Sequence, residues 1–479
     1  MAAPWFRLDG PVTHSCPPSE RVAGVSAART VVIGGGIAGL AAALRSAQRG
    51  HDVVVVESSP TVGGKLASQV VDGLTLDAGA ESLLARRHEG LDIIAAAGRQ
   101  HDVVTPAASG AGLWLDGLVA LPRQQLLGIP SDPGDADLPA VLGPEAAARV
   151  ASEPRLGSPM PIDMTVADLV GRQLGDAVVD LLVEPLLGGV YAGRADQISV
   201  DMALPGLLEA VGQEGSLVRG AAALRARSAG EGPVFASVVG GLGSLPPSLV
   251  SACGATVISG SSAVEIRGTA RGWSVELSSG EVVAADQVVV AVPAFAAAPL
   301  LAGVAPEAST VAAEVDYATV ALITAVFDAG SVTADLQGTG FLVPPVTGRI
   351  TKAATFVSRK WQWVADAALG REVLRFSVGR QGDQRGIELS DLELTARVLD
   401  EVADLLGLTS GPRASVVTRW ERSLPQYRVG HRSRVARARA ALPPTIGVAG
   451  AAWDGVGIPA CIASGWAAAD RVAGRGQPG

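Results

Sequence analysis

The stretch TVVIGGGIAGL, residues 30–40, constrains the fold more than any other part of the chain. A short apolar run leads into glycines spaced as Gly34-x-Gly36-x-x-Gly39, and small apolar residues follow. In this arrangement the first glycine permits a tight strand-to-helix turn, the second lets the backbone approach a diphosphate, and the third allows the helix to pack closely on the strand. The N–H groups that open such a helix attract phosphate oxygens. The spacing therefore predicts a βαβ unit that binds a dinucleotide.

The residues after the glycines support this interpretation. Residues 37–49 have a helical composition and end at Gly50, a residue type common just beyond a helix. The run HDVVVVE then predicts an apolar strand of the kind that is buried in a parallel sheet. Its last residue, Glu57, stands 23 residues after Gly34, where a carboxylate can accept hydrogen bonds from a ribose. The alternative is a glycine turn in an ordinary βαβ unit.

Composition limits the class of protein. The chain has 479 residues, 48% hydrophobic and 18% charged, enough for two or three domains with a large core. Its formal net charge of -9 argues against nucleic acid as the main partner, because no basic excess exists to neutralise phosphates. The cysteines and histidines are scattered, so we expect neither a disulfide framework nor a metal site. No apolar run reaches the length of a membrane span, and residues 1–28 predict a disordered leader.

Beyond the first unit the pattern changes several times. Residues 89–210 predict mostly helices, and residues 211–235, rich in Gly, Ala and Arg, predict irregular structure. Further expected elements are strands at 257–266, 273–277 and 287–292, mixed strands and loops at 315–380, a helix at 391–406, and a final strand, glycine loop and helix that begins near Pro459. This order predicts a first domain that the chain leaves and re-enters.

Three later segments favour FAD over NAD as the dinucleotide. SSPTVGGKLAS places a glycine pair, Gly63 and Gly64, before Lys65, as is typical of flavoproteins that wrap an extended FAD. DGLTLDAGAES, residues 72–82, would pass its backbone beside the isoalloxazine ring. DGVGIP, residues 454–459, would turn backbone N–H groups and a helix start toward the pyrimidine edge, where they stabilise negative charge. Each segment alone is compatible with a plain loop; together they predict FAD.

Longer motifs resemble one family. EPLLGGVYAGRADQISVDMALP (184–205), LWLDGLVALPRQQLLGIP (113–130), RWERSLPQYRVGH (419–431) and GAAWDGVGIPACIASG (450–465) resemble the protoporphyrinogen/coproporphyrinogen oxidases of heme synthesis, within the amine-oxidase-like flavoproteins. The resemblance spans about residues 29–473 and implies an α/β fold: a discontinuous Rossmann-like FAD-binding domain, a mixed α+β substrate domain and a helical insertion. The implied boundaries are 29–88, 236–300 and 415–473 for the FAD-binding domain, 89–210 for the helical domain, and 211–235 and 301–414 for the substrate-binding domain.

Carried over by motif position, the resemblance implies which residues meet FAD. They are Gly34, Gly35, Gly36, Ile37, Ala38, Gly39, Glu57, Ser58, Lys65, Gly79, Ala80, Glu81, Ser82, Val264, Trp420, Val456, Gly457 and Ile458. Val264 would bind adenine through its backbone, with a buried strand valine as the alternative, and Trp420 would border the flavin, with a core tryptophan as the alternative. No catalytic side chain is implied, because the cofactor performs the hard step.

The implied activity is the six-electron oxidation of a porphyrinogen, with oxygen as acceptor and hydrogen peroxide as by-product. The form of the motifs looks actinobacterial and favours coproporphyrinogen III over protoporphyrinogen IX as substrate. Its four propionates require local cations, and Arg87 is the best anchor by motif position, with an exposed helix arginine as the alternative. Further candidate cations are Arg86, Arg349, Lys352, Arg359 and Lys360. The resemblance implies a cytoplasmic enzyme whose helical domain could touch a membrane; it leaves the oligomeric state open.

Two other functions are compatible with such a fold. A flavin oxidase of amines or polyenes often surrounds the flavin with aromatic side chains, which a chain with 4% aromatic residues supplies thinly. A protein that binds prenylated partners without redox chemistry would keep the first glycine motif but lose the other flavin contacts. This chain retains GGK, GAES and DGVGIP, which favours an enzyme.

Overall fold

The computed structural model describes residues 27–156, 160–227 and 232–474, and it places the glycine-rich start of the chain in a parallel sheet. In pairing order its five strands are Thr256–Ser259, Asp52–Glu57, Arg29–Ile33, Gln287–Val290 and Ile446–Val448. Separated parts of the chain therefore build one sheet, and the predicted α/β fold class is confirmed. The predicted leader, residues 1–28, lies almost entirely outside the described residues.

The sheet is buried because its strands are apolar on both faces. Val31, Val32 and Val55 are fully buried. Two alanine-rich helices, Ile37–Gln48 and Ile458–Val472, pack on one face, and helix Ala294–Leu301 contributes to the cluster on the other. The two helices are also joined at their far ends, where Arg45 and Arg49 both donate to Asp470.

The strand predicted at 257–266 is two strands. Thr256–Ser259 stays in the parallel sheet, whereas Ala263–Thr269 pairs with Gly272–Leu277 in a separate antiparallel sheet. The break falls at Gly260, whose φ of +72° turns the chain and whose N–H donates to the Ser59 carbonyl at 2.9 Å. An apolar pattern that continues across a glycine could not indicate this change of sheet.

A second sheet has seven strands. In pairing order they are Ala414–Pro425, Tyr317–Phe327, Glu372–Val378, Thr351–Phe356, Gly340–Leu342, Gly112–Trp114 and Leu118–Ala120. Helix Asp391–Leu406, which has the bounds that the sequence predicts, covers one face with the fully buried Leu394 and Val398. A capping box between Ser390 and Glu393 fixes its start.

Strands from two regions of the chain were not expected in this sheet. Gly112–Trp114 and Leu118–Ala120 come from the region predicted as mostly helical, and Ala414–Pro425 comes from the segment that the predicted division gives to the FAD-binding domain. Gly112 pairs with Phe341 and Tyr317 pairs with Pro425. These partners are distant in sequence, so local patterns carry little information about the pairing.

Helices dominate the rest of residues 138–227. They are Leu138–Leu142, Pro144–Ala151, Val166–Leu174, Asp176–Val178, Glu184–Tyr191, Val200–Ala203, Leu207–Glu214 and Leu217–Arg227, with a π-helical turn at Val179–Val183. The expectation of irregular structure from residue 211 was wrong for Leu217–Arg227, because alanine and arginine are strong helix formers. The apolar run at 181–191 belongs to the core, where Leu182 and Leu187 are fully buried. In the described part of the chain, no helix is both long and apolar enough to cross a membrane.

The remaining elements are short. The remaining strands are Ser68–Val71, Leu74–Asp77, Leu83–Leu84, Val103–Val104, Gln125–Leu126, Ile129–Pro130, Phe235–Val238 and Val282–Ala285. The remaining helices are His88–Ala96, Gln100–Asp102, Leu242–Ser244, Leu245–Cys253, Pro306–Ala313, Pro345–Thr347, Val357–Lys360, Gln362–Ala368, His431–Ala440 and Ala451–Asp454.

Candidate functional site

The first glycine loop contains two kinds of glycine. A Cβ on Gly39 would lie 1.8 Å from the Gly34 carbonyl oxygen, and one on Gly34 would lie 2.7 Å from the Ala291 carbonyl oxygen. The protein itself therefore requires glycine at both positions. Gly36 is different, because its φ of -71° suits any residue and, in the part of the chain that the structure describes, no atom lies within 4 Å of a Cβ built there. Gly36 thus faces space at the start of helix Ile37–Gln48, where a diphosphate would lie.

Glu57 lies directly beneath this loop. Its carboxylate is buried and accepts hydrogen bonds from the N–H groups of Gly35, at 2.7 Å, and Ser59, at 2.8 Å. The Ser58 hydroxyl donates to the same carboxylate at 3.2 Å. These bonds fix the carboxylate at the carboxyl end of its strand, where the ribose of a dinucleotide is bound in this type of sheet.

Val264 lies in an irregular part of its strand. The register with Gly272–Leu277 shifts between Ala263 and Glu265, so Val264 has no assigned partner in the ladder. Its residue surface is 48% exposed, so the alternative of a buried strand valine was wrong. An exposed, unpaired backbone at this position suits the predicted adenine contact.

The second glycine pair rests against the first loop. Gly63 has a φ of +123° and donates to the Gly35 carbonyl at 2.8 Å, while the next residue but one, Lys65, accepts a bond from Ala80 N–H at 3.1 Å. Lys65 is exposed, yet desolvation by the surrounding protein lowers its pKa, and Cys461 of the C-terminal helix is close enough to act on it. Exposure combined with desolvation places Lys65 in a cleft rather than on the outer surface.

Arg375 holds the segment 77–81. Its guanidinium donates to the carbonyl oxygens of Asp77 and, at 3.4 Å, Gly79, and it pairs with Glu81 at 3.0 Å. Lys360 also pairs with Glu81, at 2.6 Å. Burial alone would raise the pKa of Glu81, but Lys360 and Arg375 outweigh it, so that the pKa is lowered. Glu81 is therefore ionised, and its role here is to bind two cations that fix the loop.

Trp420 approaches the same loop from the seven-stranded sheet. Its indole N–H donates to the Ala78 carbonyl at 3.0 Å, and its ring lies 3.1 Å from a Cβ built on Gly79. The side chain is partly exposed, so it is not enclosed in the core. Trp420 thus borders the loop that is predicted to run beside the flavin. Ser82 follows directly and leads into strand Leu83–Leu84.

The C-terminal loop closes the cleft. Gly455 has a φ of +124°, and helix Ile458–Val472 begins one residue before the predicted Pro459, with an exposed Gly457 at its N-cap. Ile458 shares its hydrophobic clusters with Ile37 of the first glycine helix. The starts of both helices therefore lie near one another, and their unpaired N–H groups favour anionic groups in the space between them.

The residues present fit FAD. Glu57 lies at the strand end where such a sheet holds a ribose, Gly36 leaves space at a helix start for a diphosphate, and the assignment of Lys65, Gly79 and Gly457 to the flavin end stays a prediction. Sequence analysis missed Arg375, although a charged residue inside the apolar strand EVLRFSV was a usable signal. It also named Lys360 and Arg359 as candidate substrate cations; in the structure Lys360 pairs with Glu81 and Arg359 pairs with Glu372 at 3.2 Å, and their contact with a substrate stays a prediction.

The proposed propionate anchor has a local partner. Arg87 precedes helix His88–Ala96, and its guanidinium pairs with Glu89 of that helix, with one N–O distance of 3.2 Å. The Arg87 side chain is 45% exposed. An exposed guanidinium shared with one carboxylate retains donors for a second anion. Arg349, another candidate, stacks on the Trp114 ring at 4.0 Å.

Asp77 gives this region a pH-dependent stability. Its carboxylate is buried and accepts from the N–H groups of Leu242, at 3.1 Å, and Gly243, at 2.8 Å. Burial dominates over these bonds and raises the pKa of Asp77 from 3.8 to about 6. The folded protein therefore holds a proton that the unfolded chain releases, and stability falls as pH rises from about 4 to about 6.

We expect Asp77→Asn to remove this dependence. Relative to the variant, the natural protein should lose about 3 kcal/mol of unfolding free energy between pH 4 and pH 7. Urea denaturation at a series of pH values measures the difference. A difference that stays constant over that range contradicts the assignment.

A sequence profile of the flavin-containing amine oxidoreductases matches residues 37–473. The chain belongs to this family of flavoproteins, and the predictions of an amine-oxidase-like flavoenzyme and of FAD as its cofactor are confirmed. Among its relatives, the coproporphyrinogen III oxidase of Bacillus subtilis (strain 168) is 31% identical over 456 residues, which cover 91% of this chain and 96% of that protein. The coproporphyrinogen III oxidase of Mycobacterium leprae (strain TN) is 35% identical over 447 residues, 90% of this chain and 95% of that protein. The crystal structure of a protein titled putative protoporphyrinogen oxidase, from Exiguobacterium sp. 255-15, superposes with a TM-score of 0.81 at 30% identity. The match covers 94% of this chain and 99% of that one.

Proposed function

We propose that this protein oxidises coproporphyrinogen III to coproporphyrin III in heme biosynthesis. The observation that carries the proposal is the full-length similarity to coproporphyrinogen III oxidases, including one at 35% identity over 447 residues. The geometry supports it, because the second glycine pair bonds to the first glycine loop and the start of helix Ile458–Val472 lies near the start of helix Ile37–Gln48. The residues predicted to contact FAD remain part of this proposal.

The side chains and backbone of this protein bind and orient the cofactor. Gly36 and the N–H groups behind it receive the diphosphate, and Glu57 receives the ribose. Bound FAD supplies the hydride acceptor for each two-electron step. Lys65 and the helix start at Ile458 create positive potential at the far end of the cleft, which favours electron density there. Arg375 and Lys360 keep the loop at 77–81 in place through Glu81.

We assign no side chain as a general base. The substrate loses six electrons and six protons to become aromatic, and oxygen is the proposed acceptor, reduced to hydrogen peroxide in each of three rounds. The cytoplasm is the proposed location. Contact of the helical domain with a membrane surface is a further part of the proposal; in the run at 181–191, Leu182 and Leu187 are fully buried and Val190 is 43% exposed.

Anaerobic mixing tests this function directly. Purified holoenzyme is mixed with coproporphyrinogen III, and separately with protoporphyrinogen IX, while flavin absorbance and porphyrin fluorescence are recorded. We expect flavin bleaching with both, faster with coproporphyrinogen III, and porphyrin fluorescence once oxygen is admitted to re-oxidise the flavin for the remaining rounds. Faster bleaching by protoporphyrinogen IX would select the alternative substrate. Bleaching by amines or polyenes alone would assign another oxidase activity, and a colourless protein that cannot be loaded with FAD would overturn the proposal.

Arg87→Ala should weaken substrate binding. We expect the KM for coproporphyrinogen III to rise about tenfold, in line with the loss of one charge-assisted hydrogen bond, while kcat changes less than twofold. The control is Arg172→Ala, which removes an arginine that is 71% exposed and pairs with Asp168 on a helix surface. An unchanged KM in steady-state assays removes Arg87 from the substrate site.

A further inference from the structure

Two cations are buried side by side where helix Glu184–Tyr191 packs on the seven-stranded sheet. Lys352 is 4% exposed and Arg380 is 7% exposed. A Cβ built on Gly188 of that helix would lie 3.6 Å from Arg380 Nε and 4.0 Å from Lys352 Cδ. The absence of a side chain at Gly188 thus brings both cations against the helix.

Neither cation is fully satisfied. Arg380 donates to the Val343 carbonyl at 2.6 Å, but its Nε–H has no acceptor. Across residues 27–156, 160–227 and 232–474, the Lys352 ammonium has neither a hydrogen bond nor an ion pair. Burial, and then the positive charge of Arg380, lower the pKa of Lys352 to about 7. A buried, unpaired cation is costly to a fold, so its presence calls for a counter-ion.

Three of the four neighbouring carboxylates have other partners, and the fourth is Asp180, whose pKa is raised by burial. The charged groups around the pair, in addition to each other, are Asp180, Glu184, Arg194, Asp383, Arg385 and Glu401. Glu184 accepts the Ala195 N–H at 2.8 Å, and burial raises its pKa. Asp383 pairs with Arg385 at 2.8 Å. Glu401, on the helix behind the strand, accepts the Thr351 hydroxyl at 2.8 Å.

Space lies next to Arg380. A cavity of about 270 Å³ is lined by Arg380 together with Glu184, Pro345 and Val346, while Lys352 is close to Arg380 but is not part of the lining. Val346 is 59% exposed, so the cavity is close to solvent. The extra residue of a β-bulge is Lys352 itself, since the register jumps from Thr351 to Ala353 opposite Glu372–Val378. A bulge redirects a side chain, here toward Arg380 and the helix.

We propose that Lys352 and Arg380 form a carboxylate-binding pocket that holds one propionate of the substrate. The pocket rests on the proposed function, because only a tetrapyrrole with carboxylate arms supplies such an anion. A carboxylate that enters the cavity meets the Arg380 guanidinium, and the Lys352 ammonium next to it adds a second positive charge, so both cations attract the anion. The pocket fixes the orientation of the macrocycle and distinguishes substrates by the number of their propionates.

Binding of coproporphyrin III to the holoenzyme tests the pocket without turnover. Quenching of porphyrin fluorescence gives the Kd for the natural protein, Lys352→Met, Arg380→Gln and the control Arg397→Gln, whose arginine is 59% exposed on helix Asp391–Leu406. We expect Kd to rise about tenfold or more in the first two variants and to be unchanged in the control. The tetramethyl ester of coproporphyrin should bind the natural protein and Lys352→Met equally.

The pH profile is a second readout. Because a bound carboxylate favours the charged ammonium, affinity in the natural protein should fall above pH 7, by up to about tenfold per unit, as Lys352 loses its proton. Lys352→Met should lack this slope. In steady-state oxidation, KM should rise with little change in kcat.

The outcomes separate the pocket from the proposed function. Equal Kd values for the natural protein and both variants, or a pH slope that survives in Lys352→Met, overturn the pocket. If binding follows the expected pattern but coproporphyrinogen III is not oxidised, the proposed function fails and the pocket stands. If Lys352→Met does not fold, Arg380→Gln and the pH profile of the natural protein decide.

Discussion

Gly36→Val is expected to yield a folded protein that retains no flavin. The φ of -71° at Gly36 suits valine, and no atom of the described residues lies within 4 Å of the added Cβ, so the backbone accommodates a side chain at this position. The branched side chain fills the space where a diphosphate would approach the helix start. We expect flavin affinity to fall about 100-fold or more, since a close backbone contact and a helix-start interaction are lost together.

Two further variants serve as comparisons for Gly36→Val. Gly303→Val is the matched control, because it adds the same side chain at another glycine without protein atoms within 4 Å, away from the cleft. Gly39→Val should destabilise the fold as well, because its Cβ would lie 1.8 Å from the Gly34 carbonyl oxygen. Flavin absorbance, flavin fluorescence after denaturation and thermal unfolding separate the three. A Gly36→Val protein that purifies with stoichiometric flavin would falsify the diphosphate assignment.

Arg375→Gln is expected to have the second large effect. The guanidinium is nearly buried, with 6% of its side chain exposed, and it bonds to the backbone of Asp77 and Gly79 as well as to Glu81. Its removal leaves buried carbonyl groups unpaired and Glu81 with Lys360 alone. Breaking a buried ion pair from one side costs about 3–5 kcal/mol, and we expect a loss of that size in unfolding free energy.

The same variant should also weaken flavin retention, because the loop at 77–81 is predicted to run beside the isoalloxazine. Urea unfolding and the rate of flavin release on dilution measure the two effects. Arg219→Gln is the control, since that arginine is 57% exposed in its pair with Glu214 and should contribute less than about 1 kcal/mol. Natural stability and flavin release in Arg375→Gln would show that the loop is held by other contacts.

Local patterns in the sequence predicted several elements of the fold. The glycine spacing at 34–39, the apolar strand that ends at Glu57 and the helix at 391–406 each depend on contacts within a few turns or one strand, so their residues carry the information. The same holds for the C-terminal glycine loop, whose helix starts one residue from the predicted position. At Leu217–Arg227 the prediction of irregular structure was wrong, although the alanine and arginine residues there already favoured a helix.

Long-range contacts explain what the sequence left open. Gly112–Trp114 joins a sheet through Phe341, and the charged partners of Glu81 come from residues almost 300 positions away. The local periodicity of the sequence cannot predict contacts between residues that are so far apart in the chain. Lys352 illustrates this limit of prediction from sequence. In the sequence it is one of three lysines, and only its packing against Gly188 and Arg380 shows that it is buried and unpaired among the described residues.

The sequence by itself therefore determined the βαβ start, the cofactor and the family, because glycine geometry and apolar periodicity are local consequences of backbone stereochemistry. Tertiary structure alone decided which charges meet. Arg375 holds the loop at 77–81, Lys360 pairs with Glu81, and Lys352 lies beside Arg380. The physical reason is that the energy of a charge depends on its surroundings in three dimensions, on burial and on partners that the fold brings together from distant positions.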